Sequence, residues 1–321
     1  IIVGAVLFPS KWEGNMKTLA EAIEDWMVNY KKTSVKAATY DRMVYMLYQL
    51  ERYAISEVIV DKLTSFDIQN YINEMVDDGY SLSTIKKQFH LLSEYITYAN
   101  LNEIILKPLH KGVKLPSESM VKKRKREVVS YDKSEQERLM KFLVLGRHPA
   151  HLSAALMMET GLRIGEALAL TWDNVDLNRK CLRVCKTIVL LGDSRHSFVQ
   201  YGAKSFTSNR TIPLSSTAYE ILRMLRFNDS SELGYVFHNM RGEYLSYETV
   251  RYQIQKICAE ANVPYLGQHV FRHTFATNCY NKGCDVKVLS KFLGHSDVTT
   301  TYNIYIHLFG DALEEMRSIV G

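Results

Sequence analysis

Long hydrophobic runs, paired cysteines and compositional bias are all scarce in this chain, and each scarcity removes a class of protein. The opening apolar stretch, IIVGAVLF, spans eight residues with no basic flank ahead of it, whereas a membrane span needs roughly 20 apolar residues. No transmembrane segment, secretory leader or membrane partner is expected. Five cysteines (Cys181, Cys185, Cys258, Cys279 and Cys284) make an odd count without a CxxC pair. A disulfide scaffold is therefore excluded, and buried thiols in a reducing compartment are expected. Cys181 and Cys185 lie four apart in a β-like run and would share a face, but no His or Cys at zinc-ligand spacing accompanies them, so no metal site is expected. With 6 prolines and 16 glycines in 321 residues, collagen-like and disordered classes also fall away.

What remains is an ordinary globular composition, 23% charged and 46% hydrophobic. At about 150 residues per domain, the length favours two domains, each able to bury its own core. Lys plus Arg number 40 against 35 for Asp plus Glu, a net charge of +5. The consecutive residues Lys122, Lys123, Arg124, Lys125 and Arg126 carry a charge equal to that whole excess, so the positive field is locally concentrated.

From Thr18 the pattern is helical. Leu19, Ile23, Trp26, Met27 and Tyr30 recur at helix spacing, and Thr18 with Glu21 forms a capping box. A second run places Tyr40, Met43, Leu47 and Leu50 on one face; a third starts at Thr64 with Asp67 in its first turn, carries Ile68, Tyr71, Ile72 and Met75, and stops at Asp78-Gly79. A fourth starts near Ser83 with Ile85, Phe89, Leu92, Ile96 and Ala99. Residues 16 to about 107 thus read as a four-helix unit whose apolar stripes are core. Between about 108 and 130 the periodicity is lost, Pro108 and Pro116 interrupt the chain, and the basic run follows. Two readings of that run stay open: a solvated charge run, or a strap along a phosphate backbone, where each cation displaces condensed counterions. Its place between two folded units favours the strap.

The second unit begins around Tyr131. A helix is expected over 151–159, then a break at Gly161 and another helix beginning at Arg163. Residues 181–190, 197–200 and 210–214 read as strands. Helices return at about 217–226, 246–261, 269–281 and 285–293, with a last short one after Gly310.

Several basic residues in this unit are each compatible with a structural role. Arg163 would pair with Glu166 one helical turn later. Lys204, in KSFTSNRTIPL, reads alone as a solvated hairpin lysine. His269 and Arg272, three apart in HVFRHTFAT, would share a helix face and converge on one anion or simply form a polar face. His295 follows a Leu-Gly helix stop, and Tyr302 and Tyr305 are two of 20 tyrosines.

Taken in order, Arg, Lys, His-x-x-Arg, Gly-His and a Tyr ten residues after that His, the set resembles the tyrosine recombinase (phage integrase) family, most of all integrases of conjugative transposons or prophages. The segments TGLRIGEAL, KSFTSNRTIPL, HVFRHTFAT and LGHSDVTTTYNIYIH carry the likeness. The resemblance implies a mainly α protein with a small β-sheet, built as a two-domain DNA clamp. Its parts would be a helical core DNA-binding domain over 16–115, a basic interdomain linker over 116–130 and a mixed α/β catalytic domain over 131–321 with a C-terminal tail. Residues 1–15 would be a tail or remnant, and a further N-terminal arm-binding domain is left open. The tail carries Leu313, Met316 and Ile319 at three-residue spacing; it would pack on its own domain or dock on a neighbouring protomer.

The resemblance further implies Arg163, Lys204, His269, Arg272, His295 and Tyr305 as the catalytic set, with Glu166 orienting Arg163. The residue types suit the chemistry. Two guanidiniums can clamp the nonbridging oxygens of a phosphodiester while staying charged. A Tyr hydroxyl, with ordinary pKa about 10, needs a base or a positive pocket to attack at neutral pH. His269 would take its proton, His295 would donate a hydrogen bond to the phosphate, and Lys204 would protonate the leaving 5′ oxygen. No cofactor is implied, because positive side chains can supply the stabilisation that metals supply elsewhere. Tyr305 is preferred over Tyr302 for its Tyr-x-His ending. Lys86 and Lys87, near the start of the fourth helix, join the basic run as DNA-contact candidates, each also readable as a solvated lysine.

The implied function is site-specific cleavage and rejoining of DNA through a 3′-phosphotyrosine, integrating and excising a mobile element. The implied partners are duplex recombination sites and a homotetramer on two duplexes in the bacterial cytoplasm, with an excisionase or host DNA-bending protein as candidate accessory factor. A Xer-type chromosome resolvase, a type IB topoisomerase and a catalytically silent DNA-binding protein stand as alternatives.

Overall fold

The computed structural model describes residues 17–122, 129–146, 148–191, 196–201, 209–227, 234–295 and 297–305, with backbone only at 196, 300 and 303–305. The chain divides into two compact units, one ending at Arg126 and the other beginning at Glu127.

Side-chain capping sets where three of the four described α-helices of the first unit begin. Thr18 precedes α1 (Leu19–Trp26): its side chain accepts the Glu21 N–H, and the Glu21 carboxylate accepts the Thr18 N–H at 2.9 Å. Thr64 and Asp67 repeat the arrangement before α3 (Ser65–Asp77). Between them lies α2 (Ala37–Leu50), and α4 (Leu82–Leu101) follows. The fourth helix starts slightly earlier than its apolar pattern predicts, because the Ser81 hydroxyl, ahead of Ser83, accepts the Thr84 N–H. Apart from Tyr30, which is 52% exposed, the stripes read from the sequence face the core: Ile23, Leu50, Ile68, Ile72, Ile85, Leu92 and Ile96 are almost wholly buried, and Trp26 meets Tyr95 edge-on at 5.8 Å. Val121 is buried in the same cluster, and Lys122 Nζ donates to the Asp77 carbonyl at 3.3 Å. Lys86 and Lys87 are exposed on α4.

The second unit is organised around one helix. α6 (Pro149–Thr160) carries Ala, Leu and Met all round and is buried from 150 to 158, the mark of a helix enclosed on every side. Around it pack α5 (Lys133–Leu145), α8 (Ser216–Phe227), α9 (Tyr247–Glu260) and α10 (Val270–Asn281). The short α7 (Ile164–Leu168) follows α6 directly, and α11 (Val286–Leu293) and α12 (Val298–Tyr305) close the described part. The strands β1 (Val175–Asp176), β2 (Cys181–Val184) and β5 (Arg210–Pro213) make an antiparallel sheet in the order β1-β2-β5, while β3 (Lys186–Leu191) pairs antiparallel with β4 (His196–Tyr201). The mainly α architecture with a small sheet agrees with expectation.

Two local expectations are corrected. The run 181–190 is two strands in two sheets, broken at Cys185, whose thiol donates to Asn174 Oδ1 at 3.1 Å. Cys181 and Cys185 therefore do not share a strand face. Helix α12 went unread because its β-branched VTTTYNIY has poor helix propensity. Asp297 accepts the Thr299 N–H at 2.9 Å, and burial of Thr301 supplies the tertiary anchor. The helix expected after Gly310 lies outside the described residues.

Removing one cap should cost less than emptying one core position. Thr64→Ala should destabilise the first unit by about 1 kcal/mol, and Leu92→Ala by roughly 2–5 kcal/mol, read as urea midpoints of the full chain; the reverse order would contradict this account of the helical unit.

Candidate active site

The site is assembled where two helices end and one begins. Gly161 closes α6 and Gly294 closes α11, both in the left-handed conformation, with φ of 68° and 65°. A side chain at either would be strained there. Helix C-termini leave carbonyls without intrahelical partners and carry the negative end of the helix dipole, so they are natural seats for guanidiniums. Arg272, on α10, donates from Nη1 to the Gly161 carbonyl at 2.8 Å and from Nη2 to the Leu293 carbonyl at 2.6 Å. Arg163, at the N-cap of α7, donates from Nη2 to the Gly294 carbonyl at 3.0 Å. Residues 111 apart in the chain are thereby joined at Arg272 and Gly161.

Glu166 locks the first arginine. Its Oε2 accepts the Arg163 backbone N–H at 2.9 Å and its Oε1 accepts Arg163 Nη1 at 2.8 Å. The sequence reading placed Glu166 beside Arg163, and the structure brings them together. It also brings a residue that reading passed over: Arg210, at the start of β5, grips the same carboxylate with Nη1 at 3.0 Å and Nη2 at 2.7 Å. Both partners are almost fully buried, at 7% and 6% side-chain exposure. A signal for Arg210 was present, since strand alternation sets it on the same face as Ile212, which is buried. Burial works against ionisation of Glu166, but the hydrogen bonds and charge of Arg210, followed by the charge of Arg163, outweigh it and hold the carboxyl at about 2.

The third element is His295. Its Nε2 lies 2.9 Å from Arg272 Nη2. A guanidinium has no acceptor, so Nε2 must be the unprotonated nitrogen. The proton therefore sits on Nδ1, which donates to the hydroxyl of the buried Thr301 at 2.7 Å. Burial, then the charges of Arg272, Arg163 and Arg210 and the neighbouring His273, push the imidazole down to about 4, in keeping with this neutral tautomer. In this arrangement Nε2 is taken up by Arg272.

His269 stands at the N-cap position of α10, one turn before Arg272, and keeps an open face to solvent. Desolvation, then the charges of Arg272 and Arg163, lower its pKa below the ordinary 6.5, so at neutral pH it is an unprotonated base. His273, read from the sequence as structural, is partly buried and pushed down to about 4 by burial, His269 and Arg272. Tyr305 is the last residue of α12; its side chain, Lys204, and the basic residues Lys123, Arg124, Lys125 and Arg126 lie outside the described residues. Tyr302 is 44% exposed. The structure therefore joins Arg163, Glu166, Arg272, His295 and, through shared electrostatics, His269, while Lys86, Lys87 and Lys122 belong to the other unit. Among the described residues, no three His, Cys, Asp or Glu side chains converge as a metal site, and no helix is long and apolar enough to cross a membrane.

These groups set an acid limit on stability. Between about pH 6.5 and about 4 the unfolded chain binds protons that the folded His273 and His295 refuse, so stability falls as pH drops through that window. Below the ordinary 4.5 of Glu166, acidification removes more, down to its folded value of about 2. Urea midpoints of the full chain should be lower at pH 5 than at pH 7.5, and His295→Gln should flatten the slope. Nitrogen NMR should show His295 as the Nδ1–H tautomer at pH 7.5; titration near 6.5 would overturn this assignment.

A family model described as the phage integrase family matches residues 130–311. A XerC-like tyrosine recombinase of Caldanaerobacter subterraneus is 27% identical over 312 residues, covering 91% of this chain and 79% of that protein. An integrase of a Staphylococcus phage is 23% identical over 329 residues, covering 93% and 92%. Among solved structures, the Tn1549 transposon integrase in complex with a circular intermediate DNA has a TM-score of 0.78 at 19% identity, over 94% of this chain and 99% of that chain. A lambda integrase tetramer bound to a Holliday junction has a TM-score of 0.65 at 16% identity, over 90% and 78%. These two share the fold. With a family match over more than half of its length, the chain belongs to the phage integrase family and is a tyrosine recombinase, a DNA strand-transferring enzyme.

Proposed function

We propose that this recombinase integrates and excises a bacterial mobile element, and that Arg163, Lys204, His269, Arg272, His295 and Tyr305 carry its chemistry, with Glu166 in support. The observation behind the site assignment is the convergence of Arg163 and Arg272, from different helices, on adjoining helix C-termini, with His269 at the start of the helix that carries Arg272. The end-to-end likeness to a phage integrase supports the mobile-element reading.

In this mechanism the Tyr305 hydroxyl attacks the scissile phosphorus and passes its proton to His269. Arg163 and Arg272 hold the nonbridging oxygens, where negative charge builds. The bond from phosphorus to the 5′ oxygen breaks, and Lys204 protonates that oxygen as it leaves. The 3′-phosphotyrosyl bond keeps the energy of the broken linkage, so a 5′-hydroxyl from another strand can displace Tyr305 and reseal the DNA without ATP. His295 holds Arg272 in register through Nε2, and Thr301 holds His295. Lys86, Lys87, Lys122, Lys123, Arg124, Lys125 and Arg126 contact phosphates of the duplex, a homotetramer brings two duplexes together in the cytoplasm, and an excisionase or host DNA-bending protein biases direction. The helical DNA-binding domain spans 16–115, the basic linker 116–130 and the catalytic domain 131–321 in this proposal.

Trapping on nicked duplexes bearing candidate element ends tests the assignment. A covalent protein–DNA adduct that survives EDTA should form with the intact chain and with Tyr302→Phe but disappear with Tyr305→Phe; loss in Tyr302→Phe instead would move the nucleophile. Lys204→Ala should cut cleavage by about 100-fold or more and regain it on a 5′-thio leaving group, whereas no rescue would remove Lys204 from the acid role.

A further inference from the structure

We infer that Arg210 is a positioning residue of the strand-transfer site, restoring to the phosphate clamp the positive charge that Glu166 would otherwise cancel; this rests on the functional reading above.

The inference starts from charge counting. Glu166 is needed to hold Arg163, since it accepts both the backbone N–H and Nη1 of that residue. With only those two groups present, the pair is neutral, and an incoming phosphate oxygen meets a dipole where it needs a cation. Arg210 supplies the missing charge. Its two terminal nitrogens take the same two carboxylate oxygens, so the cluster of two guanidiniums and one carboxylate carries one net positive charge. Arg163, the more solvent-accessible member at 34% side-chain exposure against 7% for Arg210, is the one able to present it.

The geometry separates this role from ordinary packing. Arg210 sits behind Glu166 and almost fully buried, so it acts through Glu166 and Arg163 rather than on substrate. Its Nε is buried without a hydrogen-bond partner among the described residues, a cost that a residue selected for stability alone would avoid. A buried ion pair is, moreover, a weak source of net stability compared with an apolar replacement. The charge itself is the feature for which packing offers no substitute. Its influence reaches the rest of the clamp, because Arg210 is among the charges that keep His295 unprotonated.

The test is a set of four variants of the full chain, in which net cluster charge and hydrogen-bond pattern are varied separately. Arg210→Met leaves the Arg163–Glu166 pair neutral, the double variant Arg210→Met with Glu166→Gln returns the net charge to its original value, and Arg210→Lys keeps the charge while losing the fork. The rate of covalent adduct formation on saturating nicked duplex should fall about 100-fold in Arg210→Met, with duplex Kd changed less than about threefold. It should recover at least about tenfold in the double variant and stay within about tenfold of the parent in Arg210→Lys. A double variant as slow as Arg210→Met, at matched Tm, would overturn the charge role. The Glu166→Gln single variant completes the cycle. Binding of inorganic phosphate at low salt, followed through the His269 and His295 NMR signals, provides a readout that needs no recombination: affinity should drop in Arg210→Met and return in the double variant. Should the parent chain form no adduct on any element end, the recombination mechanism would fail while the phosphate ranking still decided the role of Arg210; equal phosphate affinity in all variants would reject that role whatever the DNA chemistry.

Discussion

A carboxylate that is 6% exposed and accepts four hydrogen bonds from two arginines is the constraint around which the catalytic unit is arranged. Glu166 has filled its lone pairs with the Arg163 backbone, the Arg163 guanidinium and the fork of Arg210, leaving no capacity for water. Burying an isolated carboxylate would be prohibitive. Burying it between two guanidiniums fixes the start of α7 against β5, and with it the direction in which Arg163 projects. Breaking such an arrangement by removing one partner leaves an uncompensated interior charge.

The helix termini carry the next layer of the same logic. Gly161 and Gly294 end their helices in left-handed turns, and the carbonyls around them are taken by Arg272 and Arg163. Main-chain acceptors do not titrate or rotate, so the spacing of the two guanidiniums is set by the packing of α6 and α11 rather than by flexible side chains. From Arg272 the network continues through His295 to Thr301 on α12, the helix that ends at Tyr305. A shift of α12 would therefore be felt at the arginine clamp, and the neutral state of His295 is the link that allows it.

Much of this could be read in advance because it is local. The capping pairs Thr18–Glu21 and Thr64–Asp67, the apolar stripes of the first unit, the Arg163–Glu166 turn and the His269–Arg272 spacing are all set within four residues, where helix geometry dictates proximity. What escaped depends on distance along the chain. Arg210 is 44 residues from Glu166, and its pairing follows from strand order. The tautomer of His295 depends on Arg272, 23 residues away. Helix α12 has a β-branched sequence that favours strand locally, whereas Asp297 at its start and the buried Thr301 support a helix. The split of 181–190 at Cys185 depends likewise on Asn174, 11 residues upstream.

The charge balance of the site suits the phosphodiester of the proposed reaction. Arg163, Arg210 and Arg272 set three positive charges against the one carboxylate of Glu166, leaving two net positive charges where burial also suppresses protonation of His269 and His295. Helix C-terminal carbonyls offer only partial negative charge, enough to orient the cations but not to neutralise them. An anion bearing two equivalent oxygens supplies the rest, so its binding relieves repulsion that folding has already built in. Ligand binding of that kind stabilises the folded unit by mass action, and it does so most for the state in which negative charge on those oxygens is greatest. In the proposed reaction the surplus of Arg163, Arg210 and Arg272 over Glu166 would thus favour the transition state over the ground state.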